Sequence, residues 1–179
     1  MKINLPTQLT LARIAAIPVI CLFIAINTEW SSWLSLLLFF AAAMTDWLDG
    51  YLARRRMQIS KLGQFLDPIA DKLLVVAVIL FLVQSNHIFG IHIIPAFLIL
   101  MREIAVSGLR EFLAERRVEL PVSKLAKWKT AVQMAALSIL LISNSPLSAI
   151  VGLFLLWVSA VLTVITAWDY GCATRRHFL

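Results

Sequence analysis

Apolar residues fall along this chain in six long blocks separated by short polar stretches. The blocks run from about Leu9 to Ile26, Ser32 to Arg54, Gly63 to Val83, Ile91 to Ala114, Lys127 to Ile142 and Leu147 to Tyr170. Each is close to the roughly 20 residues that carry a helix across a bilayer. The fifth reaches that length only if its basic start lies at the interface. The residues before Leu9 read as a short amphipathic lead-in. The apolar run behind them continues through Ile26 with no small-residue cleavage site, so it is expected to be a first permanent span and not a removable signal. The expected fold is all-α integral membrane, six transmembrane helices in a single catalytic domain over residues 1–179. No repeat, low-complexity stretch or second domain is visible.

Six spans place both termini on one side. The basic residues collect there, at the termini and in the 55–62 and 115–126 loops. The opposite connections, INTEWSS, QSNHIFGIH and SNSP, contain no Lys or Arg. By the positive-inside rule the termini and the basic loops are cytoplasmic. An odd number of spans would scatter these charges over both sides. Trp30, Trp33 and Trp168 near span ends fit an interfacial aromatic belt. Composition sharpens the picture: 61% of residues are hydrophobic, against roughly 45–50% apolar in soluble domains. The net charge of +6 therefore points to a membrane surface and away from nucleic acid. Cys21 and Cys172 form no disulfide framework or metal motif, and His87, His92 and His177 lack metal-ligand spacing.

Ionisable residues inside spans are costly and mark function. Asp46, Asp49, Asp67, Asp71, Arg102 and Glu103 stand out in this way. Asp46 and Asp49 share one face of the second span at i and i+3, and Asp67 and Asp71 share one face of the third at i and i+4. The short turn between these spans makes them antiparallel neighbours. Asp46 and Asp71 each lie eight residues from the hairpin end, a depth of roughly 12 Å. Asp46 is thus expected to face Asp71, with Asp49 near Asp67. Four bare carboxylates at one level repel and protonate, and divalent cations relieve this. An all-oxygen donor set suits Mg²⁺ or Mn²⁺, and a two-ion site suits a diphosphate. Gly50 and Gly63 leave room beside the acidic face, for helix packing or for a ligand. Arg54, one turn past Gly50, reads as a phosphate contact or as an interface anchor.

Together these residues read Asp46-x2-Asp49-Gly50-x2-Ala53-Arg54-x8-Gly63-x3-Asp67-x3-Asp71, eight positions over 26 residues. The pattern resembles the signature of the CDP-alcohol phosphotransferase family at every position and spacing. NLPTQLTLARIAAIPV, MREIAVSGLREFLA and KWKTAVQM resemble the branch that uses CDP-diacylglycerol and glycerol phosphate. The resemblance implies that fold and a transfer of the phosphatidyl group from CDP-diacylglycerol to sn-glycerol 3-phosphate. The products are phosphatidylglycerophosphate and CMP, in phosphatidylglycerol and cardiolipin biosynthesis. It further implies that Asp46, Asp49, Asp67 and Asp71 bind the metal ions. Asp49, Gly50, Ala53, Arg54 and Gly63 would hold the CDP-lipid, and Asp71 would act as general base. It implies a homodimer in a bacterial cytoplasmic (inner) membrane, with the site open to the cytoplasm.

The acceptor brings its own phosphate, so a second cationic pocket is expected. Arg102 and Arg110, eight apart in the fourth span, share a face. Lys127 and Lys129 open the fifth. Arg110 and Lys127 are the expected phosphate ligands, with Arg102 and Lys129 in support. The competing reading is interfacial anchoring for the lysines and pairing with Glu103, or with an acidic neighbour helix, for Arg102. Three rival functions stay open on these residues. They are a sibling enzyme using inositol phosphate or phosphatidylglycerol, a Mg²⁺-dependent membrane prenyltransferase, and a cation transporter. The prenyltransferase would show two separate Asp-rich motifs. The transporter often shows repeats of broken helices, and none is visible.

Overall fold

A computed structural model describes residues 5–56, 61–115 and 124–178, and for residues 5–6, 46–56, 61–62, 64, 114–115, 124 and 171–178 the description extends to helix membership only. Among the described residues there are six α-helices, one 3₁₀ turn and no strand. The chain divides into two compact units, Met1–His87 and Ile88–Leu179.

The first unit holds α1 (Leu5–Ile26), α2 (Glu29–Arg56) and α3 (Lys61–Gln84). Residues 5–8, within the stretch expected as a lead-in, are thus continuous with α1. Helix α1 passes through Pro18 without a break, as apolar helices with packed neighbours allow. It stops where Asn27 turns into the left-handed region at φ 52°, a conformation that Asn tolerates at a helix end. The next helix starts on a reciprocal cap: the Thr28 N–H donates to Ser31 Oγ at 2.9 Å, and Ser31 Oγ–H returns to the Thr28 carbonyl at 3.0 Å. Helix α1 packs along both α2 and α3, whereas described contacts between α2 and α3 are sparse. Among the described residues, α1 is thus the main link between the two helices of the hairpin expected from the short 55–62 turn.

The buried face of α1 runs Thr7, Thr10, Arg13, Ile17, Ile20, Ile24, steps of three and four that form one helical stripe. Its first half is polar and its second apolar. In α2, Ser31, Ser32, Ser35, Phe39 and Ala42 are buried while Trp33, Leu37, Phe40 and Met44 are exposed. Small or polar residues inside and large apolar ones outside is the arrangement of helices packed in lipid.

The second unit holds the 3₁₀ turn Gly90–His92, α4 (Ile93–Glu115), α5 (Lys124–Leu141) and α6 (Pro146–Phe178). Pro146 stands at the first position of α6, where its missing N–H costs nothing. Ser145 Oγ accepts the Ser148 N–H at 3.2 Å, and the Ser145 N–H donates to Ser148 Oγ at 3.3 Å. Helix α6 packs on both α4 and α5. At Gly152 the α5 side chains come so close that an added Cβ would stand 2.8 Å from Leu140 Cγ and Cδ2. In the connection from α3, Ser85 Oγ meets His87 Nδ1 at 2.8 Å, and Trp157 Nε1–H donates to His92 Nδ1 at 3.1 Å. Both histidines have local structural partners.

Three helical stretches among the described residues are long and apolar enough to cross a bilayer: Thr7–Ile26, Gly90–Leu113 and Pro146–Tyr170. They make this a membrane protein.

Candidate active site

In the first unit the signature lies on the last turns of α2 and the first turns of α3. Asp46, Asp49, Gly50, Ala53 and Arg54 all fall within α2. Their side chains, and with them the expected facing of Asp46 to Asp71 and of Asp49 to Asp67, lie outside the described residues. On α3, Gly63 is buried, Asp67 is half-buried and Asp71 is exposed one turn later. Lys72, next to Asp71, turns back along its own helix, where Nζ donates to the Pro68 carbonyl at 2.9 Å.

One contact in this unit was not expected. The Thr10 hydroxyl of α1 donates to Asp67 Oδ1 at 2.6 Å, a short hydroxyl hydrogen bond. Thr10 is fully buried, flanked one turn away on each side by the buried Thr7 and Arg13. The signal was present in the sequence as a Thr-x2-Thr-x2-Arg stripe on an otherwise apolar helix.

The donor set fits a hard divalent cation, since the signature offers only carboxylate oxygens. The Thr10 bond occupies one oxygen of Asp67. Among the described residues no three acidic, His or Cys side chains gather into a metal-binding group; two of the four signature aspartates lie outside that set.

In the second unit three of the four expected cations, Arg102, Arg110 and Lys129, are drawn into one network. Arg102 and Arg110, two turns apart on α4, both stand over the ring of Tyr170 from α6, at 5.7 and 5.3 Å from its centroid. Arg110 also donates to the Tyr170 hydroxyl at 2.8 Å, and Arg102 to Thr166 Oγ1 at 3.4 Å. Lys129 Nζ pairs with Glu103, which lies 3.6 Å from Arg102. Lys129 is 3% exposed, so it is a buried ion-pair member and not an interface anchor. Lys127 is exposed and stands apart from these contacts. Sequence reasoning placed Arg102 and Arg110 on one face, as the shared Tyr170 ring bears out. It missed Tyr170 and Thr166, which sit with Ser159 and Thr163 on one buried stripe of α6. Among the described residues Gln133 Oε1, Ser159 Oγ and Thr163 Oγ1 are buried without a hydrogen-bond partner. The α5–α6 face thus carries polar capacity beyond what its own packing uses.

Residues 3–165 match the model of the CDP-alcohol phosphatidyltransferase family, and the chain belongs to that family. It is 50% identical to the CDP-diacylglycerol–glycerol-3-phosphate 3-phosphatidyltransferase of Rickettsia bellii, with 99% of this chain and 100% of the relative covered. Against the proteins of the same name from Rickettsia felis and Haemophilus influenzae, identity is 47% (98% and 97% covered) and 42% (95% and 92% covered).

Proposed function

We propose that this protein transfers the phosphatidyl group of CDP-diacylglycerol to sn-glycerol 3-phosphate, giving phosphatidylglycerophosphate and CMP. The observation that carries this reading is the similarity to relatives of that name along essentially the full chain, with the eight-position signature intact. In this reading the whole chain works as one catalytic domain. Asp46, Asp49, Asp67 and Asp71 hold Mg²⁺ or Mn²⁺, two ions for preference. The bound cations supply charge that offsets the negative charge developing on the diphosphate. Gly50, Ala53 and Gly63 leave space for the CDP-lipid, and Arg54 donates charge-assisted hydrogen bonds to its diphosphate. Asp71 takes the proton from the acceptor hydroxyl as that oxygen attacks the lipid-side phosphorus. Arg110 and Lys127 bind the acceptor's phosphate, with Arg102 and Lys129 setting the field around it.

The reading includes six spans, with both termini and the site on the cytoplasmic side of a bacterial inner membrane, and a homodimer as the assembly. A donor whose tails stay in the bilayer and a water-soluble acceptor meet most readily at such a face.

A transfer assay tests it. Purified protein in detergent receives CDP-diacylglycerol, Mg²⁺ or Mn²⁺ and labelled glycerol 3-phosphate. Inositol phosphate, serine and phosphatidylglycerol run in parallel. The expected result is lipid-soluble label from glycerol 3-phosphate alone, lost on chelation and reduced by at least about 10²-fold in Asp71→Asn. Label from another acceptor would keep the family and overturn the substrate. CMP release from none of them would overturn the reaction.

A further inference from the structure

We propose that Thr10 is a positioning residue for Asp67: its buried hydroxyl fixes the carboxylate in the rotamer that presents the second oxygen to a divalent cation. The inference rests on the reading of Asp67 as a cation ligand and adds a part that lies outside the signature, on another helix.

The first support is what this hydroxyl does with its one proton. A Ser or Thr in a helix ordinarily bonds a carbonyl three or four residues back. Ser35, Thr45, Thr130 and Thr166 all do so here, to Ser32, Ala42, Ala126 and Leu162. Thr10 donates across to a residue 57 positions later in the chain. A hydroxyl carries a single donor hydrogen, and in Thr10 it is directed at a carboxylate on another helix.

The second support is rigidity. Thr is β-branched and stiff at χ1, and Thr10 has no exposed surface. Its oxygen is therefore placed by packing. The terminal torsion of an Asp side chain is broad and poorly determined on its own. Pairing a stiff donor with a soft acceptor transfers order to the carboxylate. Helix α1, which packs on both α2 and α3, is in position to impose it. Groups that orient a metal ligand from behind typically change metal affinity by about 10–100-fold when removed.

The test uses full-length protein in detergent and Mn²⁺ alone, with free Mn²⁺ read by electron paramagnetic resonance and no turnover required. Thr10→Val keeps the shape and removes the donor, Thr10→Ser keeps the donor, and Asp67→Asn removes the ligand charge. The expected result is a Kd for Mn²⁺ raised roughly 10-fold in Thr10→Val, near the wild-type value in Thr10→Ser, and raised further in Asp67→Asn. In turnover, Thr10→Val should need more Mn²⁺ for half-maximal rate while kcat at saturating Mn²⁺ changes little. Should Thr10→Val fail to yield folded protein, Thr10→Ser and Thr10→Ala make the same comparison. Unchanged Mn²⁺ affinity in the variant lacking the donor, with affinity lost in Asp67→Asn, overturns the positioning role and leaves Asp67 a ligand. Equal binding by wild type and Asp67→Asn overturns the reading of Asp67 itself, and the positioning role with it.

Discussion

Glu103 shows how a single side chain carries charge into an apolar helix. It stands between Lys129 and Arg102, with side-chain exposures of 14%, 4% and 12% respectively. Removing one member of a buried pair leaves the other charge uncompensated, which costs more than the pair contributes. Glu103→Gln is expected to destabilise the protein by about 3–5 kcal/mol, read as a lower melting temperature in a thiol-reactive dye assay. A double change that also replaces Lys129 by Met should recover part of that loss. Tyr170 poses a different case, because its ring and its hydroxyl act separately. Tyr170→Phe keeps the ring beneath both guanidinium groups and removes the acceptor for Arg110. A hydrogen bond to a charged group contributes about 1.5 kcal/mol or more. If Arg110 binds the acceptor phosphate, loss of its orientation should raise KM for glycerol 3-phosphate roughly tenfold, with kcat near wild type in steady-state assays. Both residues lie in apolar segments. Glu103 stood out in the sequence because a charge there is anomalous, whereas a tyrosine near a span end is ordinary.

At the scale of elements, some block limits lay close to helix ends: α1 stops at Ile26, as the first block does, and α6 opens at Pro146, one residue before the sixth. Asn27 and the Thr28–Ser31 cap separate α1 from α2, and Ser145–Pro146–Ser148 opens α6. These are local devices, in which a side chain satisfies backbone groups a few residues away, so short windows of sequence carry them. Element contacts were less legible. Helix α1 lies along both α2 and α3, and nothing in the turn between those two helices announces that. Gly152 is the same kind of feature. Its role comes from Leu140 on α5, a contact between helices and not within one. Gly152→Ala is expected to cost about 1–3 kcal/mol, because the fully buried Leu140 side chain has little room to withdraw. A thermal melt of the variant, with the same substitution at exposed Gly108 as control, checks it; Gly108 has open space where a Cβ would stand.

At the scale of the molecule, three stretches are long and apolar enough to cross a bilayer, and the proposed topology adds α2, α3 and α5. Charge asymmetry supports that addition, since the basic loops fall on one side only when all six helices cross. With both native cysteines replaced, single cysteines at Asn144 and at Gln58 report sidedness in intact cells. An impermeant maleimide is expected to label the first and not the second. Labelling of both, or of the second alone, would overturn the six-span topology.

Hydrophobic blocks, caps and signature spacing are properties of neighbours along the chain. The sequence alone therefore sufficed for helix content, membrane class, the acidic signature and the family it resembles. Which residue supports which across space could not be read the same way. The bond from Thr10 to Asp67 spans 57 positions, and that from Arg110 to Tyr170 spans 60. A helix pattern states which face is buried but not what lies against it. Thr10 became a partner of Asp67, and Tyr170 a shared platform for two arginines, only when tertiary packing brought separate helices within hydrogen-bonding distance.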